Sequence, residues 1–366
     1  MFHLCFFPFI AFLVSAVFAY VSMPWLLRLC KRRGLYDMPN DRKVHKNKIP
    51  RLGGVLFMPA TALGISAALI AMMAFGLELP SFKVSTFLII SGIFLIYLVG
   101  LLDDVLGLPA RFKFLVQFVA SLFMPFCSLY INDLYGFCGL HQIPVLVGYP
   151  LTIFLSLLIV NSINLIDGID GLASGLSVLA LGVYTVVYLQ LNVVGYAMFT
   201  AALLGGVLVF MYFNLFGSEG RGTKTFMGDT GSLILGYALA FLTFKYAMDA
   251  PALLPRRPQA ILLAFTLLIV PVFDLIRVAL ERLFRRESIF HADKTHIHHK
   301  CLAAGFSMRA SLFVILGLQA FFNVAGWIFY LLEMNITLIV TTDIVLFALF
   351  HVWLNRRIAR QEQLKG

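Results

Sequence analysis

The chain has 366 residues, 61% hydrophobic and only 13% charged, with a formal net charge of +10. A soluble fold of this length cannot hide so much apolar surface, so the composition excludes a soluble enzyme and indicates a polytopic membrane protein. Cys5, Cys30, Cys127, Cys138 and Cys301 show neither paired nor metal-type spacing, which excludes a disulfide framework.

A crossing helix needs roughly 20 apolar residues. That window predicts spans near 5–27, 52–75, 84–102, 112–131, 144–160, 172–190, 194–216, 230–247, 260–281, 311–332 and 336–354. The first charge is Arg28, so no basic n-region precedes the first run, and it reads as a true span rather than a signal peptide. Pro144 and Pro150 interrupt the fifth. Of the 28 Lys and Arg residues, 23 fall in the segments after odd-numbered spans: 28–51, 103–113, 161–171, 217–229, 282–310 and 355–366. Arg277 lies just inside that face, and only Lys83, Lys245, Arg256 and Arg257 oppose it. The positive-inside rule then puts those segments in the cytoplasm, with the N-terminus outside and the C-terminus cytoplasmic. The expected fold is an all-α integral membrane protein of about eleven transmembrane helices, one domain over 1–366. Its basic face suits anionic lipid headgroups or phosphorylated substrates, and nothing indicates nucleic acid.

Five cytoplasmic segments carry unusual chemistry. Residues 34–54 read GLYDMPNDRKVHKNKIPRLGG; most of their lysines and arginines are accounted for by sidedness alone. His45 and the PRLGG turn are not, since glycines at a helix entrance permit close approach to an anion. Asp103 and Asp104 end the third span as adjacent acids, followed by Arg111 and Lys113. Adjacent carboxylates repel unless a cation or shared proton relieves them, and acids beside bases suit a phosphate–Mg2+ site. A solvated span terminus is the plainer alternative.

In NSINLIDGIDGLASG, Asn161, Asn164, Asp167 and Asp170 recur at three-residue intervals, which helical geometry would line up on one side. Helix capping by Asp170 competes with a ligand role. Asp229 of EGRGTKTFMGDTGS lies between glycines ahead of the eighth span, beside Arg221 and Lys224, and an N-cap role competes there too. His296, His298 and His299 follow Asp293 and Lys294. Without HExxH or a cysteine pair, these histidines fit a phosphate or sugar nucleotide better than zinc. His3, His141 and His351 are isolated and read as structural. Asp274 and Arg277, three apart, read either as intramembrane functional groups or as an ion pair steadying the histidine segment.

These motifs occur in a known order. DMPNDRKVH…PRLGG, the DD pair with its following lysine, NSINLIDGIDGL, FMGDTGS and HIHH together resemble the polyprenyl-phosphate N-acetylhexosamine-1-phosphate transferases. The resemblance runs from Gly34 to Phe306 in motifs and throughout in span number. It implies an eleven-span fold with a cytoplasmic active-site cleft, and transfer of a sugar 1-phosphate from a UDP-N-acetylhexosamine to undecaprenyl (polyprenyl) phosphate, releasing UMP, at the bacterial inner membrane. It also implies Mg2+ as cofactor, with Mn2+ as its substitute. Carried over by position, Asp229 and Asn164 would be the metal contacts, and Asp103 and Asp104 would handle the lipid phosphate or its proton. Asp167 and Asp170 would shape the nucleotide–metal pocket. Arg42, His45, Arg51, Lys113, His296, His298 and His299 would meet the substrates. DKTHIHH resembles the branch that initiates O-antigen, common-antigen or teichoic-acid linkage lipids, for which UDP-GlcNAc is the usual donor. The muramyl-pentapeptide transferases share the chemistry and form the alternative; a membrane transporter is the remote one. Membrane lipids, and a second copy in a homodimer, complete the expected partners.

Overall fold

The structure is a computed structural model that describes residues 2–37, 48–80, 83–250, 257, 260–288 and 294–363. Its helices are α1 (Phe2–Arg33), α2 (Phe57–Ala74), α3 (Val84–Leu106), α4 (Ala110–Phe126), α5 (Val145–Ile166), α6 (Leu172–Gln190) and α7 (Val194–Phe216). There follow α8 (Gly228–Ala247), α9 (Ala260–Thr266), α10 (Ile269–Phe284), α11 (Ile297–Ala303), α12 (Met308–Leu331) and α13 (Ile336–Gln363). Among the described residues, eight helices are long and apolar enough to cross a membrane: α1, α2 with its leading turn, α3, α5, α6, α7, α12 and α13. The protein is therefore a multi-pass, predominantly helical membrane protein. Two more predicted spans correspond to α4, 17 residues long, and α8, whose 20 residues open on GDTGS.

The predicted span over 260–281 is not one helix. It breaks between α9 and α10 with a 69° bend. A break in an apolar environment leaves backbone groups without partners, and each must be satisfied inside the protein. Gln319 of α12, fully buried, does this at both sides of the break. Its Nε2 donates to the Thr266 carbonyl at 2.7 Å, and its Oε1 accepts from the Val270 amide at 3.2 Å.

The all-α class stands, and two short antiparallel ribbons join the helices. β1 (Tyr36–Asp37) pairs with β2 (Ile49–Pro50), and β3 (Asp133–Phe137) pairs with β4 (Leu140–Gln142). Positive φ at Tyr135, Gly136, Cys138 and Gly139 bends the second ribbon back on itself. That ribbon is fastened where α8 ends: Tyr135 Oη donates to the Ala247 carbonyl at 2.9 Å. Nearby, Asn132 exchanges bonds of 2.7 and 2.8 Å with the backbone of Asp249.

α8 is the central element. Its residues from Thr230 to Phe244 are all buried, chiefly between α3 and α5. This burial surrounds Tyr237 and the middle of the helix with protein rather than lipid, while Asp229 and Lys245 stand half-buried at its two ends. Close approach depends on glycine. A Cβ at Gly100 of α3 would stand 2.5 Å from the Thr230 Cα, and one at Gly236 of α8 would stand 2.6 Å from the Val160 Cα of α5.

Replacing Gln319 with Leu would orphan the Val270 amide, while the Thr266 carbonyl still has the Asn323 amide 2.7 Å away. The expected cost is about 1–3 kcal/mol, read as a lower midpoint in thermal unfolding of the detergent-purified protein. An unchanged midpoint would show that the break does not rely on Gln319.

Candidate active site

The described parts of the five segments singled out by sequence meet at one end of the helices. Contact begins with Asp104, in the last turn of α3 and only 2% exposed. Its Oδ1 accepts from the Asp229 amide at 2.9 Å; its Oδ2 accepts from the Thr230 amide at 2.9 Å and the Thr230 hydroxyl at 2.6 Å. Those amides are the unpaired donors of the α8 N-terminus, so a carboxylate from another helix supplies the cap. Asp229 itself caps nothing; it stands in the first turn. Gly228, at φ +72°, turns the chain into α8 against the Asp104 carboxylate and the Arg51 carbonyl, where no Cβ fits.

The PRLGG segment packs on the same place. The Gly53 and Gly54 amides donate to the Phe226 and Met227 carbonyls at 2.9 Å each, and the Phe226 amide donates to the Pro50 carbonyl at 2.8 Å. These glycines thus permit approach of the FMGD backbone. A Cβ at Gly53 would stand 2.6 Å from the Phe210 ring, and at Gly54 it would collide with Gly231. Arg51 donates from Nη2 to the Asp104 carbonyl. Arg42 and His45 lie outside the described residues.

Lys113, in the first turn of α4, bridges two acids. Its Nζ is 3.0 Å from Asp103 Oδ2 and 2.6 Å from Asp229 Oδ2. The other Asp103 oxygen accepts from the Leu108 amide at 2.7 Å. Asp229 Oδ1 faces the Asn164 amide at 3.3 Å, and Asn164 also donates to Ser232 Oγ at 2.8 Å. Residues from α3, α4, α5 and α8 therefore converge around one lysine, and every side chain in the pair network remains partly accessible. Asn161, one turn before Asn164, instead donates to Gln117 Oε1 at 2.7 Å and takes no part.

α5 ends at Ile166, so the three-residue spacing holds as a helical stripe only as far as Asn164. Asp167 follows the helix and makes no hydrogen bond among the described residues. Burial, reinforced by Asp229, Asp170 and Asp104, pushes its carboxyl up to about 7. Asp170 is held differently: Lys224 Nζ lies 2.5 Å away and Asn214 Nδ2 3.3 Å away. Asn214, buried on α7, also accepts from the Gly171 amide at 2.7 Å and donates to the Thr225 carbonyl at 2.9 Å. It ties DGIDG to the FMGD segment. Sequence reasoning missed it, because one asparagine near the end of an apolar run carries no local signal.

Of the three histidines, His296 and His298 are buried. His296 Nδ1 lies 2.8 Å from Asp274 Oδ2. Asp274 Oδ1 receives Arg277 Nη2 at 2.9 Å and the Ile297 amide at 3.1 Å. The intramembrane acid and arginine thus anchor the histidine segment. The His296 and His298 rings lie nearly parallel, 6.0 Å between centroids, and His299 sits 4.2 Å from His298. Burial and the two neighbouring histidines push His298 down to about 3, which keeps it neutral. Its edge fills the space a Cβ would need at Gly168, so the glycine between Asp167 and Asp170 is where the histidine helix docks.

Chemically, the site offers hard oxygens and fixed ammonium groups at the end of a helix bundle. No cluster of three or more His, Cys, Asp or Glu could hold a metal among the described residues. A cation here would rest on one or two protein oxygens and complete its shell with substrate, the habit of Mg2+ rather than zinc. Asp229 offers carboxylate oxygens of this kind, while Asn164 turns its amide nitrogen toward them, so its oxygen would join only after the amide rotates.

Comparison with known proteins places these residues in context. The sequence profile described as glycosyl transferase family 4 matches residues 86–247, which contain Asp103 through Asp229. A Bacillus subtilis (strain 168) protein named "Probable undecaprenyl-phosphate N-acetylglucosaminyl 1-phosphate transferase" is 31% identical over 87% of this chain and 83% of its own length. Proteins of Yersinia pestis and Escherichia coli (strain K12), both named undecaprenyl-phosphate alpha-N-acetylglucosaminyl 1-phosphate transferase, are 29% and 28% identical over 84% of this chain. Each is matched over 79% of its own length.

The raised Asp167 carboxyl has a measurable consequence. It stays protonated in the fold up to about pH 7, whereas in the unfolded chain it ionises from about pH 4. Folding is therefore penalised increasingly as pH rises through that window. Asp167→Asn should melt higher than the parent at pH 8 in metal-free buffer, with the difference closing toward pH 4. Equal melting at pH 8 would refute the assignment.

Proposed function

From the premise that the chain belongs to glycosyl transferase family 4, with the undecaprenyl-phosphate N-acetylglucosaminyl 1-phosphate transferases it matches, we propose that it transfers N-acetylglucosamine 1-phosphate from UDP-GlcNAc to undecaprenyl phosphate. UMP is the other product, and the lipid-linked sugar initiates a cell-envelope polysaccharide. The observation that carries this reading is the convergence of Asp103, Lys113, Asn164 and Asp229 from four helices on one accessible spot. Two anionic substrates need such a mixed site: ammonium groups to hold phosphates, and carboxylates to hold a cation between them. The lopsided distribution of Lys and Arg supports a cytoplasmic face of the bacterial inner membrane, where a soluble nucleotide sugar and a lipid phosphate can meet.

Asp229 and Asn164 would hold Mg2+. Bound there, the ion would offset charge on the diphosphate and on departing UMP. Lys113 would hold a phosphate beside it, and Asp103 would keep Lys113 aimed into the site. Asp103 would also receive any proton left on the lipid phosphate. Asp104, with both oxygens engaged by the α8 N-terminus, would act by fixing where Asp229 stands. Asp167, Asp170 and Lys224 would form the wall toward the nucleotide, and the histidines would close the site over the sugar diphosphate. Attack by a lipid phosphate oxygen on the β-phosphorus exchanges one phosphoanhydride for another, so the reaction should be freely reversible and governed by positioning.

Purified protein given undecaprenyl phosphate, Mg2+ and UDP-GlcNAc should release UMP, and Asp229→Ala should lower that rate by at least about 100-fold. Turnover with UDP-N-acetylmuramoyl-pentapeptide alone would transfer the reading to peptidoglycan precursors. Silence with every UDP-sugar would overturn it. Incubation with UDP-GlcNAc labelled at the β-phosphorus, without lipid, should leave no label on the protein. A stable aspartyl phosphate would replace direct attack with a two-step route.

A further inference from the structure

The histidine segment is fixed by two residues of α10 one turn apart. Asp274 is 1% exposed, and a carboxylate so buried is tolerated only when its oxygens are fully engaged. Here they are. Oδ2 faces His296 Nδ1 at 2.8 Å, while Oδ1 takes Arg277 Nη2 at 2.9 Å and the Ile297 amide at 3.1 Å. Arg277 Nη2 also donates to the Thr295 carbonyl at 2.6 Å, and its Nη1 is 2.9 Å from Glu281 Oε2. Three consecutive residues, Thr295 to Ile297, are therefore clamped onto α10 through backbone and ring together. The clamp also sets which ring nitrogen carries hydrogen. Arg277 holds Asp274 in its charged, accepting form, and an ionised carboxylate can only accept. His296 must donate from Nδ1, and Nε2 becomes the accepting nitrogen of the neutral ring.

The effect reaches the carboxylate cluster. His296 lies nearly parallel to His298, and the His298 edge occupies the Cβ space of Gly168. Asp274 thus sits at the far end of a chain of contacts that runs through His296 and His298 to the residue beside Asp167. We propose that Asp274 is a positioning residue: it fixes His296 as the Nδ1–H tautomer and leaves Nε2 to accept from, or when protonated donate to, the phosphate or sugar hydroxyls of the donor. The inference rests on the sugar-nucleotide reading above for the identity of that ligand. The tautomer itself does not depend on that reading.

Two measurements test it. In detergent-solubilised protein carrying 15N-labelled histidine, the resonance that disappears in His296→Ala should show a proton on Nδ1. An Nδ1 without a proton overturns the proposal, whatever the protein catalyses. The second is a cycle of Asp274→Asn and His296→Ala, read as kcat and KM for UDP-GlcNAc at saturating undecaprenyl phosphate. Asparagine keeps the shape but presents an amide that can donate to Nδ1 and invert the tautomer. Asp274→Asn should lower kcat/KM about 10–100-fold in the native chain, the range expected when a histidine loses its orienting partner. In the His296→Ala background the same change should cost less than about 2-fold, because the two residues act as one. Equal losses in both backgrounds would mean that Asp274 supports the fold without acting through His296, and would overturn the proposal. If Asp274→Asn fails to fold, the Nδ1 measurement on the native chain decides. If the native chain releases no UMP, the functional reading falls, and the ring proton is still read independently.

Discussion

Asp104 gives both carboxylate oxygens to the first turn of α8, and much of the site follows from that contact. The N-terminus of a helix buried in a membrane protein has amides that neither water nor lipid can reach. A carboxylate supplied across the interface satisfies them and gains from the helix dipole. Because the bond joins α3 to α8, it fixes the rotation of α8 and hence the direction of Asp229. Gly228 and Gly100 make the approach feasible, and Arg51 holds the Asp104 carbonyl from the other side. The neighbouring acid Asp103 shares its ionic partner, Lys113, with Asp229. Two adjacent aspartates thus have different partners: Asp104 caps α8, and Asp103 pairs with Lys113.

Around that frame the site is assembled from loops that could not hold their shape alone. DGIDG is tied to the FMGD segment by Asn214 and Lys224, FMGD to PRLGG by backbone bonds, and the histidine segment to α10 by Asp274 and Arg277. Each tie uses a buried or half-buried polar group whose partner comes from a different segment of the chain. Such networks are costly if incomplete and rigid if complete. That rigidity suits a reaction in which two anions must be brought into line. The broken α9–α10 pair contributes by carrying Asp274 on its inner half, and Gln319 makes the break tolerable.

Much of this was legible in the chain. Apolar runs gave helices close to where they stand, though α1 and α13 extend beyond the lipid-length stretches, to Arg33 and Gln363. Segments that the count of Lys and Arg assigned to one side bring Arg51 to Asp104, Lys113 to Asp229, Lys224 to Asp170 and His298 to Gly168. The break at Leu267 and Leu268 was not read from the chain, because a hydropathy window reads both halves as one greasy stretch. Pro271, which has no amide to bond the Leu267 carbonyl, was its local signal, and Gln319, which satisfies the freed groups, lies on α12. The ribbon at 133–142 was missed for a related reason, since short strands beside long apolar runs leave little periodicity to detect.

What the sequence by itself determined was additive along the chain: a multi-pass membrane protein, its apolar runs, the uneven placement of charge between them, and the set of polar motifs. Hydropathy and charge accumulate residue by residue, so a linear reading captures them. Pairing is different. Lys113 reaches Asp229 across 116 positions and Asp104 reaches Thr230 across 126. Nothing local distinguishes Asp103 from Asp104, or marks Asn214 among the apolar residues of α7. Only the packing of α8 between α3 and α5 decided which acid meets which base, because ion pairs and caps depend on distances of about 3 Å that the chain order does not encode.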